Sequence, residues 1–137
     1  MRDIIREYSL EFREAIEKLN ESEITNSKHF LRFPRGCCGD ASDLLAKYLL
    51  SKGIETSYDW GMYNGQSHGW LVYHNYLIDI TADQFDEINE KVVVTNDATW
   101  YLKFRNPTKK LRTFEDFNIF NYERLNEIYE AIMRKIV

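Results

Sequence analysis

Cysteine is scarce in this chain, and its two copies, Cys37 and Cys38, are neighbours. Adjacent cysteines are poorly placed to staple distant segments, so the fold need not rest on a disulfide or come from an oxidising compartment. Long apolar runs are missing as well. From Met1 to Leu19 the apolar residues are interrupted by Arg2, Asp3, Arg6, Glu7 and Glu11, which leaves no continuous stretch of signal-peptide or transmembrane type. A cytoplasmic protein with no membrane partner is therefore expected. The chain also lacks a long stripe of lysine and arginine, and its formal net charge is -4. That balance disfavours nucleic acid and anionic lipid, whose capture depends on a basic surface that releases counterions. Repeats and low-complexity segments are absent from the sequence, as is an EF-hand-like acidic loop.

What remains is a chain of 137 residues, 44% hydrophobic and 15% aromatic. It can form one domain, residues 1–137, that buries roughly two thirds of its unfolded surface. Charged residues, 29% of the total, are spread along the whole length, unlike a disordered tail. Ile5, Tyr8, Phe12, Ala15, Ile16 and Leu19 recur at helical spacing and predict a first amphipathic helix with a solvated polar face. Residues 20–34 lose that period and predict an irregular connection. Ala41, Leu44, Leu45, Tyr48 and Leu49 predict a second helix, which Gly53 should stop. Aromatic and β-branched residues between turn signals at Gly61, Asn64-Gly65 and His74-Asn75 then predict strands near 54–60, 68–73, 76–81 and 91–95. Residues 100–104 read as a further strand or a short covering segment. The stripe Leu125, Ile128, Tyr129, Ile132, Met133 and Ile136 predicts a closing helix. This order of elements points to an α+β fold with helices packed on an antiparallel sheet.

The chemistry-bearing residues fall around that sheet. Cys38 is expected to open the second helix, where unpaired N–H groups and the positive end of the dipole favour thiolate. Gly36 and Gly39 would let a substrate carbonyl approach the backbone donors there. The alternative is that both cysteines are small buried hydrophobes. His68 starts a strand, and a two-residue turn at His74-Asn75 pairs Trp70 with Asp79 across the hairpin. His68 and Asp79 then share a face as diagonal neighbours within reach of a hydrogen bond. An odd-length loop would separate them. Asp79 between Ile78 and Ile80 is costly to bury without a partner, although an exposed edge strand would also explain it.

Gly36-Cys37-Cys38-Gly39-Asp40-Ala41, the helix ending at Gly53-Ile54, His68-Gly69-Trp70 and Asp79-Ile80-Thr81 together resemble the core of the transglutaminase-like superfamily. Gly53 lies fifteen positions after Cys38, the separation associated with that core, which favours Cys38 over Cys37. The resemblance covers Pro34 to about Phe85. It implies a papain-like α+β fold with the nucleophile at a helix N-terminus and a catalytic triad of Cys38, His68 and Asp79. It also implies attack by the thiolate on an amide or ester carbonyl, an acyl-enzyme, and release by water or an amine, with no cofactor and no metal. The chain departs from papain-like proteases in having no matching glutamine before the nucleophile. Asn26 and Gln66 are candidates for the second oxyanion donor, and Cys37 and Trp70 for further oxyanion or substrate contacts.

These residues suit a thiol hydrolase, a peptidase or amidase whose partner is a peptide, protein or small amide. The same triad would serve an acyltransferase. A third reading is an inactive binding module using Trp60, Tyr63, Trp70 and Trp100. A metal site built on Cys37, Cys38 and His29, His68 or His74 lacks the cysteine spacing zinc prefers. Lys109, Lys110 and Arg112 form a small basic cluster, and nothing in the sequence speaks to oligomeric state.

Overall fold

The computed structural model describes residues 1–24, 27–104 and 119–136. Among them the chain forms three α-helices and a four-stranded antiparallel sheet, an α+β architecture. The helices are α1 (Arg2–Glu17), α2 (Cys38–Ser51) and α3 (Ile119–Lys135). The strands are β1 (Ser57–Tyr63), β2 (Gln66–Tyr73), β3 (Tyr76–Asp79) and β4 (Val93–Thr95), and they neighbour one another in chain order. Asn26 and the basic residues Lys109, Lys110 and Arg112 lie outside the described residues. No described helix is long and apolar enough to cross a membrane.

Helix α2 ends as its sequence predicts, and the reason is visible in the backbone. Gly53 takes φ +82, and the N–H groups of Gly53 and Ile54 bond back to the carbonyls of Leu50 and Leu49, both at 2.9 Å. This paired closure needs a residue that tolerates a left-handed conformation, followed by an apolar one that folds back onto the helix. Ile54 is accordingly buried, so the first strand starts at Ser57 rather than at Ile54. It also runs through Gly61 to Tyr63, because the turn itself falls at Asn64 and Gly65, with φ of 51 and 77. Positive φ at both central residues matches the right-handed twist of the flanking strands.

The second hairpin fixes the register of the site. Tyr73 pairs with Tyr76, Val72 with Leu77 and Leu71 with Ile78, so His74 and Asn75 form a two-residue loop, with His74 at φ 53. Continuing this register sets Trp70 opposite Asp79. Leu71, Ile78 and Ile80 therefore face the helices, where they join Phe12, Leu44, Leu45, Leu49, Leu125 and Ile128 in the main core. The opposite face carries a smaller cluster of Trp70, Val72, Tyr101 and Phe104.

Three further expectations are corrected. Residues 20–34 contain two 3₁₀ helices, Glu21–Ile24 and Lys28–Arg32. Thr99–Lys103 is also a 3₁₀ helix, which removes the strand from the two readings of residues 100–104 and leaves the covering segment, laying Tyr101 and Trp100 over the sheet. Aromatic content suggests a strand, but here it serves burial against Trp70 rather than pairing. The polar face of α1 is not wholly solvated, since Arg13 is buried. Its guanidinium forks onto Asp83 at 2.8 and 2.9 Å and donates to the carbonyls of Ile80 and Lys91 at 2.8 and 3.0 Å. A buried cation persists only when so paired, and the contact pins the segment that follows β3 to α1.

Candidate active site

Cys38 is the first residue of α2, and the first backbone bond to close the helix runs from the Ala41 N–H to the Cys37 carbonyl at 2.8 Å. The N–H groups of the preceding residues have no intrahelical acceptor, so the sulfur sits beside the positive end of the helix. This first turn is anchored from outside. Asp40 accepts a hydrogen bond from Arg124 of α3 at 2.9 Å, and the same arginine nitrogen donates to Ser27 at 2.9 Å. Asp40 thus ties the start of α2 to α3.

The two cysteines differ in burial. Cys37 is buried in the main core, and burial, followed by the neighbouring Cys38 and Asp40 charges, pushes its thiol up to about 12. Such a thiol stays protonated and inert at neutral pH. Cys38 is only partly buried and lines an open cleft of about 440 Å3 with Gly36, Cys37, Gly39, Asp40, Tyr58, Ser67 and Gln84, so Cys37 reaches the cleft wall while its side chain stays largely buried.

His68 lies behind Cys38 with no solvent exposure. Its Nε2 is 2.6 Å from Asp79 Oδ2, and Cys38 lies near enough to act on the charge of its ring. The structure therefore brings the three residues together, with His68 bonded to Asp79 and Cys38 as its neighbour. Burial disfavours the imidazolium, but the charge of Asp79, its hydrogen bond and then Cys38 outweigh that and raise the histidine above its ordinary value.

Asp79 is 2% exposed on a strand flanked on both sides, so the alternative of an exposed edge strand is excluded. Its desolvation is met by four contacts. Oδ2 accepts from His68 and from the Tyr101 hydroxyl at 2.9 Å, while Oδ1 accepts from the Thr81 N–H at 2.9 Å and the Thr81 hydroxyl at 3.3 Å. Burial, and then the Asp79 charge, raise the Tyr101 phenol, which keeps it a donor. Around this polar pair stand Trp70, Phe85, Trp100 and Phe104, with ring centroids 5.1 to 6.0 Å from that of His68. They exclude water and so strengthen the His68–Asp79 contact.

The remaining candidates fall elsewhere. Gln66 is exposed at the first hairpin and does not line the cleft; its neighbour Ser67 does. Trp70 is buried in the ring cluster, away from the cleft lining, so neither is set to meet a substrate at Cys38. Of the aromatic residues considered as contacts, Trp60 and Tyr63 are exposed on β1.

Three residues around the site were not anticipated. Tyr101 supplies the extra donor that a buried carboxylate needs beyond one imidazole, a need readable from Asp79 alone. Gln84 places its amide nitrogen 3.1 Å from His68 Nδ1. Tyr58 crosses the sheet over Gly69, where an added Cβ would fall 2.1 Å from the hydroxyl, and the tyrosine lines the cleft. Close approach of that ring, rather than a turn, explains the glycine between His68 and Trp70. Comparison with family models, curated proteins and solved structures returns no match to this chain.

Proposed function

We propose that this protein is a thiol-dependent hydrolase, a peptidase or amidase, built on a papain-like core similar to that of the transglutaminase-like superfamily. The observation that carries this reading is a cleft-lining cysteine at a helix N-terminus beside a buried imidazole that is bonded to a saturated carboxylate. In that arrangement Asp79 orients His68 and supports its charge, and His68 takes the proton of Cys38. The thiolate attacks the substrate carbonyl, the C–S bond forms, and negative charge moves to the carbonyl oxygen. The free N–H groups at the start of α2 supply one oxyanion donor, and the Tyr58 hydroxyl is our candidate for the second. Collapse expels the amine, which takes the proton from His68, and leaves a thioester on Cys38. Water activated by the same imidazole then releases the acid.

The test uses p-nitrophenyl acetate, which needs no knowledge of the natural substrate. The protein should release a burst of nitrophenolate equal to its own concentration and carry an acetyl group on Cys38 by mass spectrometry. Cys38→Ala should lose the burst, at least about a thousandfold in rate. A burst that survives in that variant, or acetylation found on Cys37, would sink the reading. Adding a primary amine to the same assay separates hydrolysis from acyl transfer, because a transferase would give the amide in preference to acetate.

A further inference from the structure

Gln84 belongs to the short 3₁₀ helix Ala82–Gln84 that follows the hairpin, and its side chain enters the site from outside the triad. Its amide can be oriented from its contacts. The Thr81 carbonyl lies 3.1 Å from one end, and a carbonyl only accepts, so that end is the nitrogen. The same nitrogen is 3.1 Å from His68 Nδ1 and can donate there only to a bare lone pair. On the far side of the ring Asp79 only accepts, so Nε2 carries the proton. The contacts thus describe a neutral imidazole with its hydrogen on Nε2.

The amide is also held firmly. Asp83, its neighbour in the turn, is gripped by both nitrogens of the buried Arg13 fork, which also ties down Ile80 and Lys91. Other groups facing His68 push the opposite way or are neutral. Asp79 from β3 and Cys38 from α2 favour the imidazolium, Tyr101 reaches only the carboxylate, and Asp59 of β1 sits across from Trp70 on the same face. The ring contacts are Trp70, Phe85, Trp100 and Phe104, with Lys103 beyond Trp100 and paired to Glu87.

We propose that Gln84 is a positioning residue that weakens the hold of His68 Nδ1 on its proton, so that a larger share of the imidazole meets Cys38 as a base than Asp79 alone would leave. The proposal rests on the reading of Cys38 and His68 as nucleophile and base. A general base must be unprotonated to work, and Asp79 alone would drive His68 toward the charged form. Gln84 is the counterweight. When the Cys38 Sγ–H bond breaks and the proton passes to Nδ1, the Gln84 N–H loses its acceptor and must turn away, into the cleft that its side chain already lines.

Nitrogen-15 spectra of the full chain test this directly, because they report which ring nitrogen bears the proton. The native protein should show a bare, hydrogen-bonded Nδ1 in the neutral form. Gln84→Met should raise the ratio of imidazolium to imidazole at a given pH by about three- to tenfold, the size of one hydrogen bond. Gln84→Glu, which is isosteric and places an acceptor at Nδ1, should raise it further. Alkylation of Cys38 by iodoacetamide near pH 6 should quicken in Gln84→Met by a similar factor. A native Nδ1 that carries the proton in the neutral form, or titrations unchanged in both variants, would overturn the proposal. A His68→Ala variant keeps the two failures apart. If it leaves Cys38 alkylation unchanged, the base reading is wrong; if it slows alkylation while the Gln84 variants behave as native, only the role of Gln84 is wrong.

Discussion

The two faces of the sheet hold their contents by different means. On the helix side, Leu71, Ile78 and Ile80 meet Leu44, Leu45, Leu49 and Ile128 in a mainly aliphatic core that also buries the stacked rings of Phe12 and Tyr48. Its stability comes from area removed from water and from close packing, which are non-directional and spread over many residues. On the other side, a few rings enclose His68 and Asp79. There the rings shield a hydrogen-bonded pair whose energy is concentrated in a handful of contacts. One face should therefore lose stability gradually as atoms are removed, and the other abruptly when a partner goes.

The largest effect should come from the ring face. Asp79→Ala leaves His68 Nε2 and the Tyr101 hydroxyl buried without their acceptor, and should cost about 3–5 kcal/mol by urea denaturation. A loss under about 1 kcal/mol would mean that water reaches the pair and that the rings do not isolate it. The helix face gives the contrast. Leu49→Ala, a fully buried side chain at the far end of α2 from Cys38, should cost about 3 kcal/mol through its cavity. The same change should leave the alkylation rate of Cys38 in the folded protein within about twofold, since the lost contacts are non-directional. If Leu49→Ala instead altered thiol reactivity strongly, the two faces would not be energetically separate.

The same contrast explains what could be read from the sequence. Helix-face residues repeat at regular intervals, so α2, its glycine stop and the α3 stripe follow from periodicity. The pairing of His68 with Asp79 was legible for a related reason: a two-residue turn sets the register, and register decides which side chains share a face. The rest of the ring face has no period. Tyr101 and Gln84 come from short 3₁₀ turns, and each reaches its partner across a long stretch of chain. Residues 100–104 left a strand and a covering segment both open, because aromatic residues favour strands in general while their burial against Trp70 depends on a tertiary contact that local preference cannot encode. Arg13 was hidden for the same reason, sitting at a polar position of a helix whose partner loop lies some seventy residues away.

The glycine on the helix face beside His68 offers a finer test. Gly69→Ala sets a methyl group 2.1 Å from the Tyr58 hydroxyl, so the ring must move. We expect a cost of about 1–3 kcal/mol from overpacking, together with slower acylation by p-nitrophenyl acetate as Tyr58 leaves the cleft. Tyr58→Phe should slow acylation without the stability cost. If Gly69→Ala destabilises but both variants acylate normally, the tyrosine belongs to the packing of the sheet and not to the reaction.

The effect smallest at any one step is a slope with pH, and its sign follows from His68. A histidine whose folded-state value is raised contributes its full stabilisation below the ordinary value of about 6.5 and loses it as pH climbs through the raised one. Relative to His68→Gln, the native protein should therefore lose stability between pH 6 and pH 9, by at most about 1.4 kcal/mol per pH unit for one proton. Urea midpoints of the two proteins across that range give the difference directly. A difference that stays flat would mean that burial and the Gln84 amide together cancel the pull of Asp79. One that rises with pH would mean they overrule it, and the ring face would then hold its histidine as a neutral group.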